Sequence, residues 1–315
     1  MSKVTLIVPV FNEADVIADF CAELTNVTNK ISVKNPIFFE ILLVDDGSSD
    51  NSAEIIQKMT KDDALFTGIY FSRNFGKEAA MLAGIEHATG DAVIVIDADF
   101  QHPAELISDM INKWQEGSHV VDAVKRKRAQ SSFLNTIMAS AFNHIMSVST
   151  GRDMAGASDF KLLDRQVIDA IKAMPEKNRF FRGLVAWVGF DVSQIVFDTQ
   201  PRRAGEKKWP FRSLLNYAIN NIVAFTSLPL KIMGLVGFVL ALGGGGLLLQ
   251  TMVRYFSGHA VEGFTTVIAI QLITGGFILI AIGVISLYLS KIYNEIKGRP
   301  IYITKKIKID DSDSV

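Results

Sequence analysis

Short apolar runs alternate with longer amphipathic stretches along the first 125 residues of the 315-residue chain. Five runs have the length and β-branched content of strands: Val4–Val8, Glu40–Val44, Thr67–Ser72, Ala92–Asp97 and Val120–Val124. The stretches between them have the apolar spacing of helices, near positions 13–29, 51–60, 76–88 and 103–116. Strands that alternate with helices of this length form parallel βαβ units. The pattern therefore predicts an open, mostly parallel α/β sheet with helices on both faces.

Polar and charged residues follow the first four of these strands directly. They come in pairs: Asn12 and Glu13, Asp45 and Asp46, Arg73 and Asn74, Asp97 and Asp99. Ligands of open α/β sheets bind beyond the carboxyl ends of the strands. We therefore expect these four strand ends to form one site.

The last third of the chain has a different pattern. Ile232–Val253 is free of charge over 22 residues, and Gly263–Ser290 over 28 residues. At a rise of about 1.5 Å per residue, a helix of either length can cross a hydrocarbon core of roughly 30 Å. Uncharged runs of this length are rare among the buried helices of soluble domains. Because only Arg254–Glu262 connects the two runs, they predict a two-helix transmembrane hairpin.

Basic residues flank the hairpin and nearly avoid its connector, which contains one arginine. They precede it at Arg202, Arg203, Lys207, Lys208, Arg212 and Lys231, and follow it at Lys291, Lys297, Arg299, Lys305, Lys306 and Lys308. The positive-inside rule then places the α/β domain and both termini in the cytoplasm.

Four segments follow from these patterns. Residues 1–208 form the α/β domain, and residues 209–230 an interfacial amphipathic helix, because asparagines and apolar residues occupy different faces of the stretch Ser213–Leu230. Residues 231–291 hold the two spans, at about 232–253 and 264–290. Residues 292–315 form a cytoplasmic tail whose last seven residues have the composition of a disordered segment.

Composition narrows the function. The net charge of −1 gives no field that would attract nucleic acid. The single cysteine, Cys21, excludes an intrachain disulfide and is expected to be a small buried residue. No Gly-x-Gly-x-x-Gly follows the first strand and no Walker loop is present, so dinucleotide-binding and NTPase functions lack their fingerprints.

The segment Asp97-Ala98-Asp99 with Gln101 has the strongest chemical pattern. Its carboxylate and amide oxygens are hard ligands suited to Mg²⁺ or Mn²⁺, and a diphosphate would supply the remaining oxygens. The alternative is a solvated acidic turn. His102 is adjacent, and because an oxygen-rich site does not need imidazole, we expect it either to pack locally or to contact the metal ligands from outside the metal's coordination shell.

Three further segments contain candidate contacts, and the first two have two interpretations each. The carboxylates of VDDGSSD suit nucleoside N–H and hydroxyl groups, or a helix cap and turn in which Gly47 permits a tight bend. In PVFNE, Glu13 is either a nucleotide contact or a helix-start charge. In SRNFGK, Arg73 and Lys77 are natural partners of phosphate.

The ordered set PVFNE, VDDGSSD, SRNFGKEAAMLAG and DADFQHP resembles the family 2 glycosyltransferases, whose fold is the Rossmann-like GT-A fold. With the two spans, it resembles the polyprenyl-phosphate branch, which includes bactoprenol glucosyltransferases and dolichyl-phosphate mannose synthases. GASDFKLLDR, RFFRGLVAWVGF and RRAGEKKW extend the resemblance over nearly the whole chain. Each motif is weak alone, and the ordered set is specific.

The resemblance implies a role for each candidate residue. Asp97, Asp99 and Gln101 would hold the metal. The nucleotide-sugar would contact Pro9, Asn12, Glu13, Asp45, Asp46, Arg73, Lys77, Asp97 and Ala98. The acceptor phosphate would contact Lys125, Arg128, Arg179, Arg182, Arg203 and Lys208, although Lys125 and Arg128 also suit a solvated basic face. The catalytic residues would be Asp159, Asp99 and Arg203.

Two motifs depart from the family pattern. His102 and Ala104 stand where D-x-D-x-Q-D-P-P is usual, and Lys207 stands where R-x-x-G-E-S-K has serine. The first departure leaves the metal ligands intact. The second adds a cation beside the acceptor phosphate.

The resemblance implies transfer of a hexose from a UDP-sugar to undecaprenyl phosphate at the bacterial inner membrane, with inversion, for O-antigen or cell-surface glycan modification. Glucose is the first choice of sugar, with N-acetylhexosamine and mannose as alternatives, and a homotetramer is the oligomer the family implies. A phosphate whose second pKa is about 6 is already largely ionised, so Asp159 would be an orienting or weakly basic group rather than an indispensable base. The competing hypotheses are a processive polysaccharide synthase and a membrane-tethered nucleotide-binding scaffold.

Overall fold

The computed structural model describes residues 2–126, 147, 151, 156–174, 176, 180–198, 219, 222–223, 226–258 and 263–308. The described chain divides into two compact units. The first comprises Met1–Phe211 and Arg299–Val315, and the second comprises Arg212–Gly298.

The first unit alternates strands and helices as the apolar pattern predicts. In chain order its elements are β1 Ser2–Val10, α1 Ile17–Lys34, β2 Ile37–Asp45, α2 Ser52–Asp62, β3 Phe66–Phe71, α3 Lys77–His87, β4 Ala92–Val95, α4 Leu106–Gln115, β5 Val120–Lys125, β6 Ala157–Asp164, α5 Arg165–Lys172, α6 Phe181–Trp187 and β7 Val192–Phe197. A last strand, β8 Thr304–Lys308, follows the second unit in the chain.

The eight strands form one sheet in the order β7-β5-β6-β4-β1-β2-β3-β8. Strands β4, β1, β2 and β3 are parallel neighbours, whereas β6 is antiparallel to both β4 and β5, and β8 is antiparallel to β3. The carboxyl ends of β4, β1 and β2 therefore lie side by side at one edge of the sheet, where the sequence places its acidic motifs.

Two buried apolar layers sandwich the sheet. On one face, Phe20 of α1 and Met110 of α4 pack with alternate residues of β1, and on the other face Met81 of α3 packs with Ile168 and Val185 of α5 and α6. Because both faces are covered, the central strands are apolar throughout rather than alternating. Cys21 is fully buried in the first layer, as expected, and burial raises the pKa of its thiol to about 12.

The second unit contains two long helices, α7 Leu228–Phe256 and α8 Phe264–Ile296. The hydroxyl of Tyr288 donates to the carbonyl of Thr226 at 2.7 Å, and Gly237 lies against the ring of Phe277. Thr226, just before α7, is bound near the end of α8, and Gly237, further along α7, contacts a residue earlier in α8. The helices are therefore antiparallel. Their apolar side chains are exposed, and both helices have the length and composition to cross a membrane.

Most predicted elements agree with the structure within a few residues, and the prediction of a mostly parallel α/β sheet is confirmed. Helix α7 starts at Leu228, inside the predicted interfacial helix, with proline in its first turn, where the missing N–H costs nothing. Most of residues 209–227 lie outside the described residues, as does the final segment 309–315.

The predicted C-terminal tail contains a strand. Strand β8 pairs with the edge of β3, the N–H of Ser72 donates to the carbonyl of Ile303 at 2.8 Å, and Tyr302 stacks on Phe71 with centroids 4.8 Å apart. The alternation of apolar and polar residues in this segment is too short to predict a strand from the sequence. The segment forms a strand only beside the exposed edge of β3.

Candidate active site

Hydrogen bonds join the loops that follow β1 and β2. The side-chain oxygen of Asn12 accepts from the N–H of Ser49 at 2.8 Å, and the N–H of Asn12 donates to the hydroxyl of Ser48 at 3.0 Å. Asn12 has a φ of 54°, in the left-handed region that asparagine tolerates better than most residues. The oxygen of Asn12 thus serves to lock the two loops together.

Gly47 allows the β2 loop to pass close to the loop after β3. Its φ is 66°, and a Cβ at this position would lie 2.4 Å from the carbonyl carbon of Arg73. The tight bend expected from the sequence is present, and no larger residue would fit there.

The two carboxylates of VDDGSSD have different surroundings. Asp45 accepts from the N–H of Ser48 at 3.3 Å, whereas Asp46 accepts from the N–H groups of Phe75 and Gly76, the closest at 2.7 Å. Burial raises the pKa of both carboxyls, and these hydrogen bonds partly oppose that rise. Asp46 therefore anchors the start of α3 while also lining the cleft described below.

The Asp97-Ala98-Asp99 segment bends directly after β4. Phe100 adopts a φ of 59° and is buried edge-on against Phe20, with ring centroids 5.3 Å apart. Asp99 accepts from the N–H of Gln101 at 3.1 Å. A left-handed conformation at a large buried residue is rare, and such conformations concentrate at functional sites.

A cleft of about 480 Å³ opens between these loops. Six of the nine predicted nucleotide-sugar contacts line it: Pro9, Glu13, Asp46, Lys77, Asp97 and Ala98, together with Asp99 of the predicted metal set. Asn12, Asp45 and Arg73 are not among the lining residues. The guanidinium of Arg73 lies 4.1 Å from the ring centroid of Phe75.

Lys77 joins the metal motif to Asp159. Its Nζ is 2.7 Å from one carboxylate oxygen of Asp97 and 2.6 Å from Oδ2 of Asp159. The carboxylate of Asp159 also accepts two hydrogen bonds from the guanidinium of Arg182, from Nε at 2.6 Å and from Nη2 at 3.1 Å. Residues from α3, the loop after β4, β6 and α6 thus form one chain of alternating charge.

This arrangement sets the protonation of Asp159. Burial alone would raise its pKa, but the cations of Lys77 and Arg182 outweigh burial and hold the pKa well below its usual range. Burial likewise opposes the charge of Lys77, and Asp97 and Asp159 more than restore it, so the pKa of the lysine is raised. Asp159 is therefore ionised at neutral pH and is a poor proton acceptor.

Lys125 ends β5 near the same carboxylates. Burial and the nearby Arg182 lower its pKa, while Asp97 and Asp99 act in the opposite direction. Of the predicted acceptor residues, the structure therefore brings Lys125 and Arg182 to this site. Arg128, Arg179, Arg203 and Lys208 lie outside the described residues.

Three ionisable groups near this chain, two of them buried and one half-buried, were not predicted from the sequence. Lys161 and Asp122 are register partners on β6 and β5 and form an ion pair of 2.6 Å. Glu78, next to Lys77, accepts from the N–H of Phe181 at 2.8 Å. The sequence does contain a signal for Glu78, because helical spacing places this charged residue on the same face as the apolar residues Met81, Leu82 and Ile85.

His102 has the packing role expected of it. Its ring is buried and tilted against Phe160 and Phe197, with centroids 5.4 and 5.5 Å away. Burial lowers its pKa to about 4, only partly opposed by Asp97, so the imidazole is neutral at physiological pH.

The donor set of Asp97, Asp99 and Gln101 suits a divalent cation that also binds a ligand. Within the part of the chain that the structure describes, no three His, Cys, Asp or Glu side chains enclose a cation by themselves. Asp97 and Asp99 line the cleft, whereas Gln101 is not among its lining residues. Two carboxylates and one amide leave coordination positions for phosphate oxygens, as Mg²⁺ sites in nucleotide enzymes do.

Known proteins identify the class to which this fold and site belong. The model of the family described as glycosyl transferase family 2 matches residues 5–171. The chain is 39% identical to the uncharacterized glycosyltransferase YkcC of Bacillus subtilis (strain 168), over 96% of this chain and 93% of that protein.

Two further relatives have more specific names. A prophage bactoprenol glucosyl transferase homolog of Escherichia coli (strain K12) is 36% identical over 97% of this chain and 99% of its own length. The bactoprenol glucosyl transferase of Shigella phage SfX is also 36% identical, over 97% of this chain and its full length. The chain belongs to glycosyltransferase family 2, and its α/β unit has the GT-A fold.

Proposed function

We propose that this glycosyltransferase moves a hexose, with glucose as the first choice, from a UDP-sugar to undecaprenyl phosphate at the cytoplasmic face of the bacterial inner membrane. The observation that carries the proposal is the continuous contact from Asp97 through Lys77 to Asp159 and Arg182. It sets a carboxylate-lined cleft, suited to a metal-bound diphosphate, directly beside a guanidinium suited to a second phosphate.

On the donor side, the loops after β1, β2 and β4 would bind the nucleotide-sugar. Glu13, Asp46 and Lys77 line the cleft, and Asp97, Asp99 and Gln101 would hold Mg²⁺ or Mn²⁺. A divalent cation, when bound there, would neutralise charge on the departing nucleoside diphosphate. Lys77 would contact the same diphosphate, because its ammonium already lies against Asp97.

On the acceptor side, Lys125 and Arg182 would hold the lipid phosphate, with Arg203 and Lys208 as further contacts. A phosphate is largely ionised near neutral pH, so attack on the anomeric carbon requires little proton removal. Asp159 would then orient Arg182 and Lys77 rather than accept a proton, which agrees with its depressed pKa. Such catalysis consists mainly of positioning and electrostatics, and one displacement would invert the anomeric carbon.

The long helices α7 and α8 would form the membrane hairpin. The chain leaves the α/β unit before α7 and returns to it with β8, so both ends of the hairpin connect to one unit. That connectivity supports an even number of spans with both termini in the cytoplasm. A reporter fused after Val315 tests this topology, and a periplasmic signal would contradict it.

The transfer reaction is tested with the purified full chain, undecaprenyl phosphate, Mg²⁺ and a panel of UDP-sugars. We expect release of UDP that depends on the lipid phosphate and is fastest with UDP-glucose. Release of UDP with no lipid product would contradict the acceptor assignment. A polymeric product would favour the processive synthase, and nucleotide binding without turnover would favour the scaffold.

A further inference from the structure

We propose that Glu78 is a positioning residue for the acceptor side of the site: by accepting the backbone N–H of Phe181, it holds the helix that presents Arg182 to Asp159. The inference rests on the proposed function for its consequence in catalysis. Its structural part can be measured separately.

The helix α6 needs an external partner at its start. It has only seven residues, Phe181–Trp187, and the residue before it, Phe180, makes no capping hydrogen bond with its side chain. Helices this short are marginal alone, and their first N–H groups have no partner within the helix. The Oε2 atom of Glu78, from α3, accepts the first of these N–H groups at 2.8 Å.

The contact closes a ring around Asp159. Lys77 and Glu78 are consecutive in α3, and Phe181 and Arg182 are consecutive in α6. Lys77 and Arg182 both bind Asp159, and Glu78 binds Phe181. Two adjacent residues of α3 therefore hold the Arg182–Asp159 pair. Lys77 binds the carboxylate of Asp159, and Glu78 binds the backbone N–H of the residue before Arg182.

The surroundings of Glu78 agree with a role in positioning rather than in binding. It is not among the residues that line the cleft, so the donor would not contact it. Burial and, to a smaller extent, Asp159 raise the pKa of its carboxyl, the Phe181 N–H, Lys77 and Arg182 act in the opposite direction, and the net pKa is about 7. Burial of a charged carboxyl costs free energy, and the hydrogen bond that Glu78 makes explains why the carboxyl lies there.

Three substitutions separate the hydrogen bond from the charge. Glu78→Gln keeps an acceptor of the same length without charge, Glu78→Ala removes the acceptor, and Glu78→Asp keeps the charge but shortens the side chain by one methylene. Glu54→Ala is the matched control, because Glu54 also lies in the first turn of a helix but is exposed.

The first readout is hydrogen exchange of the backbone amides of residues 180–187 in the full chain in detergent. We expect Glu78→Ala and Glu78→Asp to exchange about tenfold faster than wild type, and Glu78→Gln and Glu54→Ala to remain close to it. Glu78→Asp tests the inference even if the alanine variant does not fold. Unchanged exchange in Glu78→Asp would overturn the inference.

The second readout is the separation of kinetic constants. We expect Glu78→Ala or Glu78→Asp to raise the KM for undecaprenyl phosphate about tenfold, with the affinity for UDP changed less than about twofold, and Glu78→Gln to restore the wild-type KM. Equal losses for both substrates would overturn the inference. If the wild-type chain transfers nothing to the lipid, the proposed function fails, and the exchange measurement still tests the role of Glu78.

Discussion

The two sides of the proposed site are built from opposite charges and are held in different ways. On the donor side, carboxylates follow three adjacent parallel strands, and their loops are joined by short hydrogen bonds such as Asn12 to Ser49. On the acceptor side, Lys125 ends β5 and Arg182 of α6 binds one buried carboxylate, Asp159, which Lys77 of α3 links to the donor side. The contrast matches the two substrates, because a metal-bound diphosphate needs anionic ligands and a lipid phosphate needs cations.

The contrast also concerns how far apart the partners are in the chain. The donor loops bind one another across 36 to 39 residues, whereas Lys77 and Asp159 are 82 residues apart and Glu78 and Phe181 are 103 apart. Local loops can be shaped by their own sequence. The acceptor side exists only when the antiparallel strand β6 and the helix α6 are in place.

The largest effect should come from the donor side. Asp99→Asn removes one carboxylate of the metal set, so we expect kcat to fall about 10²- to 10³-fold. EDTA should abolish the activity of the wild type, and Mg²⁺ or Mn²⁺ should restore it. Asp109→Asn, at an exposed position in the first turn of α4, is the control and should retain turnover. Full activity of the wild type in chelator would contradict the metal assignment.

The next effect should be confined to the acceptor side. Arg182→Ala removes the fork that binds Asp159, so we expect the KM for undecaprenyl phosphate to rise, or kcat to fall, about ten- to a hundredfold. Calorimetric titration should show UDP binding nearly unchanged. Arg126→Ala is the matched control, because its ion pair with Asp198 is exposed on both sides. Loss of UDP binding in Arg182→Ala would show that Arg182 belongs to the donor side and not to the acceptor side.

We propose that Arg203, which lies outside the described residues, also contacts the lipid phosphate. A charge-assisted contact of about 1.5–3 kcal/mol predicts that Arg203→Ala raises the KM for the lipid phosphate, or lowers kcat, roughly ten- to a hundredfold. Lys207, the departure from the family pattern, should matter less if it faces solvent or headgroups. Lipid-dependent kinetics beside UDP titration decide this. Abolished UDP binding with normal lipid saturation would assign the segment to the nucleotide.

The last effect concerns stability rather than turnover. The pKa of Glu78 is raised from 4.5 to about 7 in the folded chain, so the folded state binds more protons between these values. Stability from this group is complete below pH 4.5 and is lost as the pH rises through 7, by about 3 kcal/mol at most. Thermal unfolding in detergent should show a flatter pH dependence in Glu78→Gln. A slope identical to that of wild type would contradict the raised pKa.

Local patterns in the sequence determined much of the molecule. The alternation of apolar runs with amphipathic stretches identified β1 to β5 and α1 to α4, because side-chain burial repeats with the period of each element. Polar residues after four strands located the cleft, since parallel strands end at one edge. The two charge-free runs correspond to α7 and α8. Their length and apolar composition identify these helices without reference to any other part of the chain.

Only the tertiary structure decided which distant residues meet. Nothing near Asp159 in the chain indicates that Lys77 and Arg182 will hold it ionised, and nothing near Glu78 points to the N–H of Phe181. Strand β8 exists because the edge of β3 is available to it. Such contacts depend on the order of strands in the sheet, and the energy of a charge depends on its burial and its neighbours, which a linear pattern does not specify.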